Sequence, residues 1–393
     1  MAVADVTVLI RNESYITIED LDLRGGRYTV EILGSDHITI ENCNIGLDAG
    51  HIGIWVSGLP ESKKTSNYGI IRNCVIDCGC RFRYYYEKAQ TEDGIHLRDG
   101  ANYWGIYENT IIDWGHTCIG LSQFDENMTV SYNRIFCNLM STEDVSYGRG
   151  IGCGGREGGC QYNRFYKNII RNTRAPNQIG GDHNYFYYNI IDTVENTEVE
   201  ERRYGNGQGI VLTPGRSGYP EYISCYNKIY NNVIYNCDEA GIEVEDWHDG
   251  YSVKYNEIKN NIILNCGKNS VKDLDHVGIV IGDYSDPEVP MTCRSNIFQN
   301  NLVYSESSTN VVFYRGEIIS VERLNTMNGN YGDVITENIQ SDPMFVDALN
   351  SDFHLLYLSP AIDAGINVGL CMDFEGTPVP CGRKVDIGAY EYH

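Results

Sequence analysis

The stretches NNVIYN (residues 231–236) and NNIILN (residues 260–265) share one pattern, an asparagine followed by a short apolar strand. The pattern returns along most of the chain, for example as KNIIRN (residues 167–172). Its asparagine recurs at intervals of 21 to 43 residues, at Asn42, Asn73, Asn109, Asn133, Asn168, Asn189, Asn232, Asn261 and Asn301. Such intervals indicate a repeat architecture, with a coil of about 21 residues and insertions between coils.

A second phrase lies between the asparagines and consists of a glycine followed by apolar alternation, as in GIHL (residues 94–97) and GIVL (residues 209–212). Period-two alternation bounded by turn residues predicts short strands. Strands that pair from coil to coil, with an asparagine row that satisfies the backbone of one turn, predict an all-β, right-handed parallel β-helix of about ten coils. We expect this single solenoid to span residues 1–340.

Composition narrows the classes of partner. The chain of 393 residues is 42% hydrophobic and 21% charged, with a formal net charge of −24. Nucleic acids require a cationic surface, so they are excluded as partners, whereas an acidic glycan can still bind a local cationic cluster. No apolar run approaches the roughly 18 residues of a membrane span, so no membrane insertion is expected.

The C-terminal tail carries two distinctive motifs, SPAIDAG (residues 359–365) and DIGAYEY (residues 386–392). With these motifs and its repeat, the chain resembles the right-handed parallel β-helix superfamily of secreted bacterial carbohydrate-active proteins, which includes polysaccharide lyases and glycoside hydrolases. The resemblance implies a monomer that acts on a polysaccharide, secreted or at the cell surface, although the chain opens in strand-like alternation without a signal peptide. It also implies that residues 341–393 cap the open end of the solenoid.

The strand phrases can be aligned by their central isoleucine, which is expected to point inward. The aligned inner column is Ile54, Ile95, Ile119, Ile151, Ile179, Ile210, Ile242 and Ile279. The next, outward column is Trp55, His96, Gly120, Gly152, Gly180, Val211, Glu243 and Val280. Three consecutive glycines beside His96 favour close approach of a ligand to the backbone.

Ionisable residues converge on this glycine strip. The stretch EDGIHLRDG (residues 92–100) contributes Asp93 and His96, and the next two coils contribute His116 and Arg149. Coil spacing of about 4.8 Å predicts that these four lie within roughly 10 Å of one another. With Asp182 and His183 from a further coil, they form the predicted catalytic group.

Loop insertions rich in arginine and tyrosine are predicted to form the walls of the groove, because such side chains stack on sugars and pair with carboxylates. The predicted substrate-binding residues are Arg81, Arg83, Tyr85, Arg98, Arg203, Tyr204, Arg216, Glu243, Glu245 and Trp247.

The bias of the cluster toward histidine and arginine favours β-elimination on a uronate-containing polysaccharide. Arg98 or Arg149 would neutralise the uronate carboxylate, His96 or His116 would remove the C5 proton, and a loop tyrosine would be the acid. In many β-helix lyases calcium is the neutraliser, so a Ca²⁺ ion is the one cofactor that the resemblance suggests. Its ligands would be Glu92, Asp93 and Asp182.

Two alternatives remain. A glycoside hydrolase would use Asp93 together with Asp182 or Glu92 as its acid and base. A non-catalytic glycan-binding rod would instead show repeating neutral columns without an ionisable focus. The sequence shows no recognisable nucleophilic serine or cysteine triad.

Overall fold

Each coil of the chain carries short strands that pair in parallel with the strands of the coils before and after it. The computed structural model describes residues 5–46, 50–78, 93–142, 147–199, 202–204, 206–213, 222–244, 252–282 and 293–393. Within these residues, three long sheets of 12, 11 and 10 strands run along the molecule, which is the predicted parallel β-helix. We name them the first, second and third sheet in the order in which each coil visits them.

The strands have the following bounds. The first sheet contains Val6–Arg11, Tyr28–Leu33, Ile52–Ser57, Asp93–Arg98, Thr117–Ser122, Arg149–Gly154, Asn177–Ile179, Ile210–Leu212, Ile242–Val244, Ile279–Ile281, Val312–Tyr314 and the antiparallel Glu317–Ile319. The second sheet contains Thr17–Glu19, Thr39–Glu41, Ile70–Arg72, Gly105–Tyr107, Arg134–Phe136, Arg164–Tyr166, Tyr185–Tyr187, Lys228–Tyr230, Glu257–Lys259, Ile297–Gln299 and Val334–Thr336. The third sheet contains Asp22–Leu23, Asn44–Ile45, Val75–Asp77, Thr110–Ile112, Leu139–Ser141, Ile169–Thr173, Ile190–Val194, Val233–Cys237, Ile262–Leu264 and Leu302–Tyr304.

Shorter elements complete the described chain. A fourth row of strands lies at the turn from the first to the second sheet: Ser66–Asn67, Ala101–Asn102, Val130–Ser131, Cys160–Gln161, Gly181–Asp182, Ile223–Cys225, Ser252–Lys254 and Cys293–Arg294. Two antiparallel pairs are Thr197–Val199 with Arg202–Tyr204 and Phe345–Asp347 with Asp352–Leu355. The helical segments are the α-helix Val321–Asn325 and the 3₁₀ turns Pro60–Ser62, Asn330–Gly332 and Ala348–Asn350.

Two ladders of buried asparagine amides join the coils. The first, at the turn between the second and third sheets, is formed by Asn109, Asn138, Asn168, Asn189, Asn232, Asn261, Asn301 and Asn338. Asn168 is typical, since its Nδ2 donates to Asn189 Oδ1 at 2.9 Å and its Oδ1 accepts from the backbone N–H of Asn138 at 3.1 Å. Each amide thereby satisfies turn groups that water cannot reach.

The second ladder, ahead of the second sheet, was not predicted. It is formed by Asn133, Asn163, Asn184, Asn227, Asn256 and Asn296. The predicted single row therefore mixed two ladders, since Asn133 belongs to this one. In the early coils, Asn42 and Asn73 are left-handed turn residues, with φ of 55° and 53°, and the following cysteine takes the ladder position.

A corner in the first sheet explains the recurring glycine. Gly94 and Ile95 both face the core, because a Cβ on Gly94 would lie 2.7 Å from Ile111 Cγ2 and 3.0 Å from Trp114 Cδ1. Residues three apart in a regular strand point to opposite faces. With two consecutive inward positions between them, Asp93 and His96 point to the same outer face.

The C-terminal tail does not cap the end of the solenoid, contrary to the prediction for residues 341–393. Its apolar side chains, including Phe353 and Ile387, pack on the outer face of the third sheet from Ile190 to Leu302. The end is covered instead by the helix Val321–Asn325, whose Val321 and Leu324 join the main core. In the described residues, no helix has the length and apolar character needed to cross a membrane.

We predict that Asn168→Ala lowers the free energy of unfolding by about 3 kcal/mol, because it leaves several buried backbone and amide groups without partners. The measurement is urea-induced unfolding followed by circular dichroism. Asn310→Ala, at an exposed position, is the control and should change little. Equal effects of the two substitutions would contradict a structural role for the ladder.

We predict that Gly94→Ala destabilises the protein by about 2 kcal/mol, because the new methyl group overlaps the core at the corner. Gly105→Ala is the matched control, since the nearest atom to its added Cβ would be 3.5 Å away. Thermal melting of the two variants measures the difference, and a Gly94→Ala protein as stable as Gly105→Ala would refute the packing argument.

Candidate active site

Three neighbouring strands of the first sheet bring together Asp93, His96, His116 and Arg149. Asp93 and His96 lie on Asp93–Arg98, His116 immediately precedes Thr117–Ser122, and Arg149 opens Arg149–Gly154. A cleft of about 320 Å³ lies over them, lined by Asp93, His96, His116, Thr117, Gly120, Leu121, Ser122, Phe124, Arg149, Gly152, Cys153, Gly154, Gln178 and Tyr222. The four residues predicted from column alignment therefore share one cavity.

Asp93 lies at the centre of the cluster and is 1% exposed. Its Oδ1 is 2.9 Å from His116 Nδ1, and its Oδ2 contacts His96 Nδ1. Burial alone would raise the pKa of Asp93, but the charges of and hydrogen bonds from His116 and His96 outweigh it and hold the pKa well below its usual range. Asp93 is therefore an ionised acceptor that orients both imidazole rings.

The two rings have different surroundings. Because an ionised carboxylate can only accept, we assign the proton of each neutral ring to Nδ1, which makes Nε2 the basic nitrogen. His96 Nε2 is 2.6 Å from Ser122 Oγ, and the ring packs against Trp55 at 5.0 Å. The His116 side chain is 32% exposed and lies parallel to the ring of Tyr147 at 6.3 Å.

Arg149 brings a buried positive charge to the cleft. It is 8% exposed, and its terminal nitrogens donate to Gln178 Oε1 and to the hydroxyl of Tyr147. Within the described part of the chain, its Nε–H group has no hydrogen-bond partner. Arg149 lines the cleft, so its fixed positive charge is suited to an anionic ligand bound there.

The predicted strip of three glycines is wrong at its third member. The register pairs Gly152 with Gln178, and Ile179 lies opposite Cys153 instead of Ile151. Asn177 fills the inner position, accepting a hydrogen bond from the backbone N–H of Ile151 at 2.9 Å. Gly180 therefore lies outside this column.

Gly120 has a packing reason as well as a position in the cleft. A Cβ at Gly120 would lie 3.2 Å from Asp93 Oδ2 and 3.3 Å from His96 Nδ1. The absent side chain makes room for the Asp93–His96 pair. Gly152 is less constrained, since the nearest atom to an added Cβ would be 3.4 Å away.

The structure does not bring Asp182 and His183 into this cleft. Asp182 lies on the short strand Gly181–Asp182, where it accepts from the backbone N–H of Gly158 and from His183 Nδ1, each at 2.9 Å. The ring of His183 stacks between Tyr162 and Tyr226 in an aromatic row on the surface. Neither residue lines the cleft that holds the other four predicted catalytic residues.

Among the predicted substrate-binding residues, Arg98 lies beside the cleft. Its Nε donates to Asp99 at 3.0 Å, and its guanidinium lies 4.1 Å from the ring centre of Phe124. Glu243 is wrongly predicted, because it is 1% exposed and its carboxylate is held by Lys272 at 3.0 Å and by Gln208 at 2.9 Å. A buried, paired carboxylate of this kind has no access to a sugar.

The other predicted residues lie where the structure does not describe side chains. Arg203 and Tyr204 belong to the strand Arg202–Tyr204, of which only the backbone is described. The remaining ones are outside the described residues: Arg81, Arg83, Tyr85, Glu92, Arg216, Glu245 and Trp247. Their roles stay predictions.

Known proteins resemble this chain in its repeat and its fold. Residues 6–191 match the family model described as right handed beta helix region. The chain is a right-handed parallel β-helix. A search of curated proteins found no match.

Solved structures similar to this β-helix include a glucanase and two lyases. A GH87 alpha-1,3-glucanase catalytic domain in complex with nigerose is 14% identical, with a TM-score of 0.48, and is matched over 83% of this chain and 54% of its own. A PL6 family polysaccharide lyase from Pseudopedobacter saltans is 14% identical, with a TM-score of 0.48, over 91% and 93%. A pectate lyase is 12% identical, with a TM-score of 0.45, over 93% and 73%. This chain thus spans about half of the glucanase domain, and the similarities concern the fold.

The residues that sequence reasoning missed include Gln178 and Ser122, which line the cleft, and Tyr147, which contacts Arg149. Gln178 was hidden by the two-residue misalignment, and Tyr147 lies in an insertion that no column contains. Ser122 could have been found, because it is two residues beyond Gly120 in the outward column. No recognisable serine motif surrounds it, so its position in the column was the one signal.

Of the three predicted calcium ligands, Glu92 lies outside the described residues, and Asp93 and Asp182 do not make a calcium site by themselves. Calcium takes six to eight oxygen ligands. Both carboxylate oxygens of Asp93 and of Asp182 already accept hydrogen bonds. Among the described residues, no group of three or more His, Cys, Asp or Glu side chains is placed to hold a metal ion. No step of the mechanism is therefore assigned to calcium.

We predict that the stabilising effect of Asp93 depends on pH in one direction. A carboxyl group whose pKa is lowered on folding stabilises the native state fully above its unfolded pKa of about 3.9, and this contribution is lost as the pH falls toward the folded pKa. The difference in unfolding free energy between wild type and Asp93→Asn should therefore be largest near neutral pH and shrink below about pH 4. Denaturant titrations from pH 3 to 8 measure it, and a difference that grows in acid would contradict the assignment.

Proposed function

We propose that this β-helix degrades a polysaccharide in the Asp93 cleft, and that it cleaves a uronate-containing chain by β-elimination. The observation that carries the proposal is Arg149, a buried guanidinium with an Nε–H group that no described residue engages. It lies in a cavity that also holds two oriented imidazoles. The combination supports binding of a carboxylate next to a base.

The carboxylate of the sugar would take the position beside Arg149. Removal of the C5 proton places negative charge on that carboxylate, and a fixed cation stabilises the charge as it develops. Gln178 and Tyr147 hold the guanidinium in place, so no reorganisation is needed at the moment of reaction.

His116 is the proposed base. Its Nδ1 is held by Asp93, so the lone pair of the neutral ring is on Nε2, and Asp93 stabilises the imidazolium that forms when Nε2 takes a proton. Tyr147 is the proposed acid for the leaving oxygen, because its ring lies parallel to His116 and its hydroxyl contacts Arg149. Asp93 acts through the histidines and is a positioning residue.

The hydrolase alternative finds less support in this cleft. Glycoside hydrolases use two carboxyl groups, one of which must be protonated to act as the acid. Among the described residues that line the cleft, Asp93 is the one carboxylate, and its lowered pKa keeps it ionised. A protonated acid would have to come from outside this set.

We predict that the protein, incubated with a panel of polyuronates, generates absorbance at 235 nm together with new reducing ends. His116→Gln should lower kcat by roughly 100- to 10,000-fold because it removes the base. Arg149→Gln should lower kcat/KM to a similar degree because it removes the cation.

His354→Gln is the matched control, because His354 lies on the tail strand Asp352–Leu355 and pairs with Asp352 at 2.7 Å, apart from the cleft. New reducing ends without absorbance at 235 nm would show that the reaction is hydrolysis and not β-elimination. If neither absorbance nor new reducing ends appear with any polyuronate or neutral glycan, the protein is a non-catalytic glycan-binding rod. Full activity of His116→Gln would refute the assignment of the base.

A further inference from the structure

Ser122 lies at one end of the cleft, in hydrogen-bond contact with a histidine that the elimination mechanism does not use. It is the last residue of the strand Thr117–Ser122, and its Oγ is 2.6 Å from His96 Nε2. On the other side of the same ring, Nδ1 contacts Asp93 Oδ2. Serine, histidine and aspartate thus form one continuous hydrogen-bonded chain.

The direction of the hydrogen bonds in this chain suits nucleophilic catalysis. Because Asp93 is ionised, His96 donates its Nδ1–H to the carboxylate, and its Nε2 accepts from the hydroxyl of Ser122. Transfer of the hydroxyl proton to Nε2 would create an imidazolium next to a buried carboxylate, which stabilises it. A serine activated in this way is a nucleophile rather than a surface hydroxyl.

The surroundings of Ser122 leave room for a substrate. The register pairs Ser122 with Gly154 on one side and with Arg98 on the other. Gly154 has no side chain and lines the cleft, so the space beside Oγ on that side is open. Arg98 pairs with Ser122 in the register and packs its guanidinium on Phe124, which lines the cleft, so a positive charge lies near this end, where it would favour a developing oxyanion.

We propose that the protein hydrolyses a small O-acyl ester with Ser122 as the nucleophile. His96 is the general base, and Asp93 is a positioning residue. Ser122 Oγ attacks the acyl carbon while its proton passes to His96 Nε2. The bond between the acyl carbon and the alcohol oxygen then breaks, and that oxygen takes the proton from His96. Water attacks the acyl-serine, gives a proton to His96, and the carboxylic acid leaves as Ser122 recovers that proton.

Each of the two proposed activities uses one of the histidines that Asp93 orients, His116 for elimination and His96 for acyl transfer. The ring of His116 lies parallel to that of Tyr147, which contacts Arg149, and His96 contacts Ser122. We take the natural substrate to be an acyl ester on a sugar hydroxyl, and this part of the proposal rests on the proposed function. The acyl-transfer chemistry itself rests only on the hydrogen-bonded chain.

The test uses the intact protein and two probes, a fluorophosphonate that labels activated serines and p-nitrophenyl acetate. We expect the fluorophosphonate to modify Ser122, as mapped by peptide mass spectrometry. Ser122→Ala should lose this label and hydrolyse p-nitrophenyl acetate with a kcat/KM at least about 100-fold lower. Ser141→Ala, on the third sheet, is the control and should keep both properties.

Labelling of the wild type needs no variant, so it decides the matter even if Ser122→Ala fails to fold. No modification of Ser122 in the folded wild type, or unchanged ester hydrolysis by folded Ser122→Ala, overturns the proposal. The 235 nm signal is read separately. Labelling of Ser122 without cleavage of polyuronates supports acyl transfer and refutes elimination. Cleavage of polyuronates without labelling of Ser122 supports elimination and refutes acyl transfer.

Discussion

The hydrogen bond from one asparagine amide to the next is the interaction on which this molecule depends. A turn inside a solenoid leaves backbone groups out of reach of water, and each must find a partner. Asn168, fully buried, provides both a donor and an acceptor to its neighbours along the ladder. Because every amide both gives and receives, the coils cannot slip relative to one another without breaking several bonds at once. The position of every outward side chain follows from this register.

The cleft depends on a second constraint, the corner at which Gly94 and Ile95 both face the core. Because two consecutive residues point inward there, Asp93 and His96, which are three residues apart, point to the same face of the strand and contact each other. The neighbouring coil then supplies His116 and a glycine that leaves room for the pair. A chain of ordinary strands thereby obtains a buried carboxylate between two imidazoles, and one charge orients two bases.

Much of the fold and part of the cleft could be predicted because both follow from repetition. Asn and Gly-Ile phrases recur by residue type, so aligning them brings Asp93 toward His96 without any coordinates. The alignment failed where a polar residue entered the core. Asn177 replaces isoleucine in the inner column and bonds to the backbone of Ile151, so aligning on Ile179 shifts that coil by two residues. Burial by a distant segment, such as Lys272 over Glu243, is likewise invisible in the columns.

The second ladder has a consequence for how this protein can change. Asn163 bonds to Asn184 after 21 residues, and Asn184 bonds to Asn227 after 43, yet both backbone N–H to Oδ1 distances are 2.9 Å. The hydrogen bonds of the ladder do not depend on the length of chain between its members, because an inserted segment begins and ends at the same place in the coil. Segments inserted between coils can therefore lengthen, shorten or be replaced independently of the framework that holds the histidines. Diversification of specificity in such a molecule requires no change in its core.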